Sequence, residues 1–163
     1  RSTHGSGYCN HHDEIKRLAP ECKSYRELGV MQGATSACAA VAGILDQQLI
    51  DIEDYQWTPY KHLWDNFKGL KYVYHKKSSL TPQMINLPNV DMMLSDSYHN
   101  YDHVIKELKI HAQTVNKYII FHDTSLPDDR VYRAVTDFCM TNSAWQVIRR
   151  DENSVGFTTI KRI

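Results

Sequence analysis

The sequence predicts an α/β fold: a doubly wound, mostly parallel sheet finished by an antiparallel hairpin. Three observations predict it. Short apolar runs alternate with helical patterns along nearly the whole sequence. Two of these runs, Val90-Asp-Met-Met-Leu94 and Tyr118-Ile-Ile-Phe121, are each followed by an acid-bearing segment; chemistry collects at the carboxyl ends of strands in an open parallel sheet. Finally, two strand-like runs, Trp145 to Arg149 and Val155 to Ile160, flank the turn-forming stretch Asp151-Glu-Asn-Ser154.

The elements follow in order. His12 to Leu18 has helical character, broken by Pro20. Ser24 to Leu28 is a short strand ending at Gly29. Ala34 to Leu45 is rich in small residues and reads as a buried helix. Gln48 to Ile52 is the second strand. Pro59 to Phe67 is a helix with proline in its first turn. Leu70 to Tyr74 is the third strand, and Thr81-Pro82 opens a short helical turn. Val90 to Leu94 is the fourth strand. Tyr101, Val104, Ile105, Leu108 and Ala112 then share one helical face. Lys117 to Phe121 is the fifth strand, and Asp129 to Cys139 a helix with Val131, Val135 and Phe138 as its apolar stripe. Right-handed crossovers make most of such a sheet parallel, in a Rossmann-like arrangement with helices on both faces.

The 163 residues correspond to about one domain, expected over 11–163, with 1–10 as a tail. Nineteen basic and nineteen acidic residues balance, so nothing global draws the protein to nucleic acid or an anionic membrane. No apolar run has transmembrane length. The cysteines at 9, 22, 38 and 139 form no C-x-x-C pair. Cys38 and Cys139 read as small core residues, and free thiols point to a cytoplasmic setting. Cys9, His11, His12 and Cys22 match no common zinc spacing.

Glu27-Leu-Gly29-Val-Met-Gln-Gly33-Ala-Thr-Ser36 joins the first strand to the small-residue helix. Its G-x-x-x-G spacing departs from the dinucleotide fingerprint. An acid two residues before the first glycine repels a pyrophosphate and suits a cationic ligand, such as the ammonium and sulfonium of S-adenosylmethionine. A plain strand-to-helix turn would need similar glycines. Asp51 and Glu53, at the end of the second strand, are placed to accept from a ribose diol. Asp96-Ser-Tyr-His99-Asn-Tyr101-Asp102 and His122-Asp123-Thr124 deliver carboxylates and imidazoles to two strand ends. That combination fits a metal site with a base beside it, and oxygen ligands favour Mg²⁺ or Mn²⁺. Asp102 reads as an acid complementing a helix start, Tyr101 as packing, and Trp57, Tyr60 and Trp64 as helix-packing aromatics.

These motifs together resemble class I S-adenosylmethionine-dependent methyltransferases. They are most similar to the small metal-dependent O-methyltransferase branch of macrocin and mycinamicin O-methyltransferases and cephalosporin hydroxylase-like proteins, with catechol O-methyltransferase a more distant relative. Glu27-Leu-Gly29-…-Gly33-Ala-Thr-Ser36 resembles the branch's E-[IL]-G-x-x-x-G-x-[ST]; the two later segments resemble D-G-x-H-x-Y-[ED] and H-D-[TY]. The resemblance spans roughly residues 20–163. It implies that Glu27, Gly29, Gly33, Ser36, Asp51, Glu53, Ser78 and Asp96 surround the cofactor. It further implies that Asp96 and Asp123 hold the metal, that His122 either joins them as a ligand or only lines the site, and that His99 is the general base. The chain departs from the pattern at Ser97, where relatives have glycine, at Tyr98, often an acid, and at Lys77-Ser78-Ser79, where Gly-Asp-Ser is usual.

The expected function is metal-assisted O-methylation of a hydroxyl on a small molecule or sugar. The chain lacks the long acceptor-binding insertion of the branch, so the acceptor site is expected to be open or to be completed by a second subunit or another domain. A metal-independent methyltransferase and a non-catalytic Rossmann-like binding module are the alternatives.

Overall fold

The computed structural model describes residues 10–53, 61–125 and 128–163. Seven strands form one sheet in the order β3-β2-β1-β4-β5-β7-β6. They are β1 (Ser24–Leu28), β2 (Asp46–Asp51), β3 (Lys71–Lys76), β4 (Val90–Ser95), β5 (Val115–His122), β6 (Trp145–Asp151) and β7 (Phe157–Arg162). The helices are α1 (Asn10–Leu18), α2 (Ala34–Val41), α3 (Lys61–Asn66), α4 (Tyr101–His111) and α5 (Arg130–Thr141). β1 to β5 pair in parallel, whereas β7 is antiparallel to both β5 and β6. The predicted α/β, mostly parallel sheet with a terminal antiparallel hairpin is the observed one.

Period-two alternation sorts the strands between two faces. Met93, Ile119 and Phe121 face a layer with Val104, Leu108, Val131 and Val135 of α4 and α5. Met92, Leu94, Tyr118 and Ile120 face Ile15 and Leu18 of α1 and Ala39 of α2. Trp64 of α3 is buried with Val30 and Leu49 in a third cluster, so it packs the fold. Trp57 and Tyr60 lie outside the described residues, as do Cys9 and residues 1–8 of the expected tail.

Several boundaries differ from expectation. The small-residue helix stops at Val41, four residues early: Ile44 N–H turns back to the Ala39 carbonyl around Gly43. β2 consequently begins at Asp46, where pairing with Ser24 is available. β7 begins at Phe157, after a longer turn than expected. α1 begins at Asn10, one residue inside the expected tail. No helix among the described residues is long and apolar enough to cross a membrane.

A buried polar post ties the sheet to its helices. Arg26 is fully buried in β1, and burial lowers its pKa to about 10. It donates to Gln48 Oε1 from Nε (3.0 Å) and Nη2 (2.9 Å), to the Pro88 carbonyl (2.8 Å) and to Thr114 Oγ1 (2.8 Å). Its Nη1 also meets His111 Nδ1 at 3.4 Å, while His111 Nε2 lies 2.9 Å from the Ser79 carbonyl. A carbonyl only accepts and a guanidinium only donates, so His111 is the neutral Nε2–H tautomer.

Candidate active site

The carboxyl ends of β4 and β5 lie side by side, with Ser95 opposite Phe121. Asp96 immediately follows β4, and His122 is the last residue of β5. Strand parity puts His122 on the face of Tyr118 and Ile120, toward α1. Asp123 then turns through a positive φ of 57°. His99 reaches back from the loop ahead of α4.

The result is a four-residue cluster. Single donor atoms from Asp96, His99, His122 and Asp123 all lie within 4.8 Å of one another. His99 Nε2 donates to Asp96 Oδ1 at 3.0 Å, and His99 Nδ1 is 2.7 Å from Asp123 Oδ2. His122 Nδ1 donates to Asp96 Oδ1 at 3.0 Å and stands 3.3 Å from Asp123 Oδ1. Side-chain exposure of 15–30% leaves the cluster partly open to solvent.

Burial opposes charge on Asp96, but hydrogen bonds from His122 and His99 and their positive charge overcome it and lower its pKa to about 2. Burial likewise works against protonated His99; its bonds to Asp123 and Asp96 win and raise its pKa to about 10. His122 is raised by Asp96 in the same way. His99, the expected general base, thus stands between two carboxylates, with one ring nitrogen facing Asp96 and the other Asp123.

α1 covers one side of the cluster. His11 lies edge-on to His122, ring centroids 4.4 Å apart. Burial, with the neighbouring His122 and His12, pulls the His11 pKa down to about 3. Thr35 Oγ1 lies 3.3 Å from His11 Nε2 and 3.2 Å from His12 Nε2. One hydroxyl proton can serve only one of them, so the other imidazole donates. Cys22 sits in the hydrophobic layer below α1 and does not join these histidines as a zinc ligand.

Beside the cluster is a cavity of about 310 Å³. Gly29, Asp51, Ser78 and Asp96, four of the predicted cofactor residues, line it, together with Ile50, Ile52, His99 and His103. Glu27, Gly33, Ser36 and Glu53 are not among its lining residues. Glu27 is only 2% exposed. It accepts from Tyr25 Oη at 3.0 Å, and burial raises its pKa well above the carboxylate range. Enclosed in this way, Glu27 does not line the cavity in this structure. Gly33 caps α2 in the left-handed region, and Ser36 Oγ donates to the Gly33 carbonyl at 3.0 Å. Asp51 also braces the glycine turn: its Oδ2 accepts from Val30 N (2.7 Å) and Met31 N (2.9 Å), and its Oδ1 from Glu53 N (3.0 Å).

Sequence reasoning missed Glu107. This α4 residue is 1% exposed. It accepts from Ser79 Oγ (2.5 Å), Ser97 Oγ (2.6 Å), Ser95 Oγ (3.0 Å) and His103 Nε2 (3.1 Å). It therefore anchors the cavity's serine-bearing segments from behind.

No family model matches the sequence, and no curated protein matches it. Solved structures do. A Klebsiella pneumoniae protein assigned as an O-methyltransferase superposes with a TM-score of 0.75 at 13% identity, over 98% of this chain and 82% of its own. The chain has the Rossmann-like methyltransferase fold. The Podospora anserina methyltransferase PaMTH1, solved with S-adenosylhomocysteine bound, gives a TM-score of 0.69 at 12% identity, over 94% of this chain and 78% of its own. The N-methyltransferase NodS from Bradyrhizobium japonicum WM9 gives 0.64 at 12% identity, over 94% of each chain. This methyltransferase fold is thus shared by proteins named for different acceptor atoms.

Proposed function

We propose that the protein is an S-adenosylmethionine-dependent methyltransferase acting on a hydroxyl of a small molecule or sugar, assisted by a divalent cation. The observation carrying this reading is the cavity between the glycine turn and β4, which shares Asp96 and His99 with the carboxylate–imidazole cluster. A donor site and an acceptor-activating site that share a wall are what an in-line methyl transfer requires.

The residues fit both groups. The cavity reaches the lower end of the usual ligand-pocket range, about 300–1,000 Å³. Ile50 and Ile52 offer apolar contact for an adenine, and Ser78 a hydroxyl. Asp51 retains lone pairs for a ribose while bracing the turn. Asp96, His122 and Asp123 are the residues that would hold the cation, with His99 beside them. When bound, a divalent cation supplies Lewis acidity that eases ionisation of an acceptor hydroxyl.

The chain's own part is to hold and orient. In such a transfer the acceptor oxygen's lone pair would form the new C–O bond as the methyl–sulfur bond broke with its electrons going to sulfur, and the hydroxyl proton would leave to water. Asp96 borders the cavity, and His99 and His122 hold Asp96 and Asp123 in place.

Calorimetric titration of S-adenosylmethionine and S-adenosylhomocysteine, with and without added divalent cation, tests the reading. Saturable binding that weakens in Asp96→Asn is expected. Absence of binding under every condition would overturn it and favour a binding module. Methyl transfer indifferent to chelator would remove the cation from the mechanism.

A further inference from the structure

We propose that Asp96, His99, His122 and Asp123 form a mixed nitrogen–oxygen site that takes a first-row transition cation of the Zn²⁺, Co²⁺ or Fe²⁺ class in preference to Mg²⁺. The inference rests on the cation-assisted reading, because it concerns the same cluster, and it revises the expectation of Mg²⁺ or Mn²⁺ drawn from the two carboxylates.

The argument is the chemistry of the donors. Magnesium prefers six oxygens in near-octahedral array and keeps much of its water. Imidazole nitrogen suits zinc, iron, cobalt and nickel, and carboxylates are compatible with all of them. Here two of the four donors are imidazoles. His122 Nδ1 stands 3.0 Å from Asp96 Oδ1 and 3.3 Å from Asp123 Oδ1, equidistant within a few tenths of an ångström. A tetrahedral ion with bonds of about 2.0–2.1 Å separates its ligands by about 3.3 Å. The separations of His122 Nδ1 from Asp96 Oδ1 and Asp123 Oδ1 approach that value, and one donor atom from each of the four residues lies within 4.8 Å of the others. His99 can ligate through one nitrogen while the other keeps its hydrogen bond to a carboxylate, the usual way a ligating histidine is oriented. On the far side the His122 ring is walled by His11, which is buried.

The test uses the chelator-treated full chain, titrated separately with MgCl₂, ZnCl₂ and CoCl₂ by calorimetry, with the visible spectrum of bound Co²⁺ as a second readout. We expect Co²⁺ and Zn²⁺ to bind at least about a hundredfold more tightly than Mg²⁺, with intense Co²⁺ bands reporting nitrogen ligation in a low-coordinate site. His122→Asp restores an oxygen donor and narrows the preference. His99→Ala weakens Co²⁺ by more than the 10–100-fold typical of losing an outer-shell partner. His12→Ala, a change outside the cluster, leaves the spectrum unchanged. Circular dichroism of each variant separates loss of a ligand from loss of the fold. Equal or tighter Mg²⁺ binding overturns the proposal. So does a Co²⁺ spectrum indifferent to His99 and His122 but lost in His12→Ala. S-adenosylmethionine affinity, measured independently, separates the two readings. Transition-metal binding without cofactor binding sinks only the methyltransferase reading, and cofactor binding with magnesium preferred sinks only this one.

Discussion

Gly29 and Asp96 meet backbone to backbone: a Cβ on Gly29 would lie 2.2 Å from the Asp96 carbonyl oxygen. The end of β1 is thereby pressed against the residue that opens the cluster. Gly29 also has a φ of +85°. Its role is first to let two strand ends touch, and then to border the cavity.

Gly29→Ala should therefore destabilise the fold and displace Asp96. The left-handed conformation alone costs about 1–3 kcal/mol for a side-chain-bearing residue, and the clash adds to it. Thermal unfolding should show a drop of several degrees, together with weaker metal binding. An unchanged melting temperature would show that the two backbones separate easily.

Glu107 should matter to stability more than any exposed acid. Truncation to Ala orphans the donors from Ser79, Ser95, Ser97 and His103 in a buried setting, at about 1–3 kcal/mol for each group left unsatisfied. Glu107→Gln keeps one acceptor oxygen and should lose less. Urea midpoints of the two variants, ranked Ala below Gln below wild type, are the expected order; equality of all three would contradict it.

His111 supplies a pH dependence of definite sign. Burial, then the charge of Arg26, lowers its pKa to about 4, against about 6.5 unfolded, while Glu107 and the Ser79 carbonyl pull weakly the other way. Above pH 6.5 it is neutral in both states and costs nothing. As pH falls from 6.5 toward 4 the unfolded chain takes up the proton first, so stability declines by up to about 1.4 kcal/mol per pH unit. Urea titrations between pH 7 and 4 should show that decline, and His111→Gln should flatten it.

Glu27→Gln should be nearly silent for the cofactor. The carboxyl is buried beside Tyr25 and does not line the cavity, so an amide of similar shape preserves its surroundings. S-adenosylmethionine affinity should change by less than about threefold, which is about 0.7 kcal/mol. A loss of tenfold or more would restore Glu27 as a direct ligand contact.

Much of this was legible in the sequence, because local signals and tertiary pairing agreed. β1 was placed at Ser24–Leu28 because turn residues bound it on both sides. Asp96 and Asp123 were found because each follows a strand buried on both faces. Harder to see were polar residues on apolar helix faces. Val104, Glu107, Leu108 and His111 are the buried residues of α4, at spacings of three, one and three. His11, Glu14, Ile15 and Leu18 repeat the same spacings in α1 and are also buried. The signal was an acid and an imidazole on each core stripe, but, Arg17 beside Glu14 apart, the serines, threonines and arginines that satisfy them come from distant elements. The state of His99 was hidden for a related reason: only the folded arrangement sets it between two carboxylates at once.

The placement of β7 between β5 and β6 has a consequence during synthesis. β5 is hydrogen-bonded along one edge by β4, and its other edge waits for a strand encoded 35 residues beyond its own end. A nascent chain that has emerged through α5 and β6 holds Tyr118 to Phe121, all buried in the finished fold, beside an unpaired edge. Such an edge is a template for pairing with another chain. The interval between translation of β5 and of β7 is therefore one in which this protein is exposed to aggregation, and in which a chaperone would have an edge to shield.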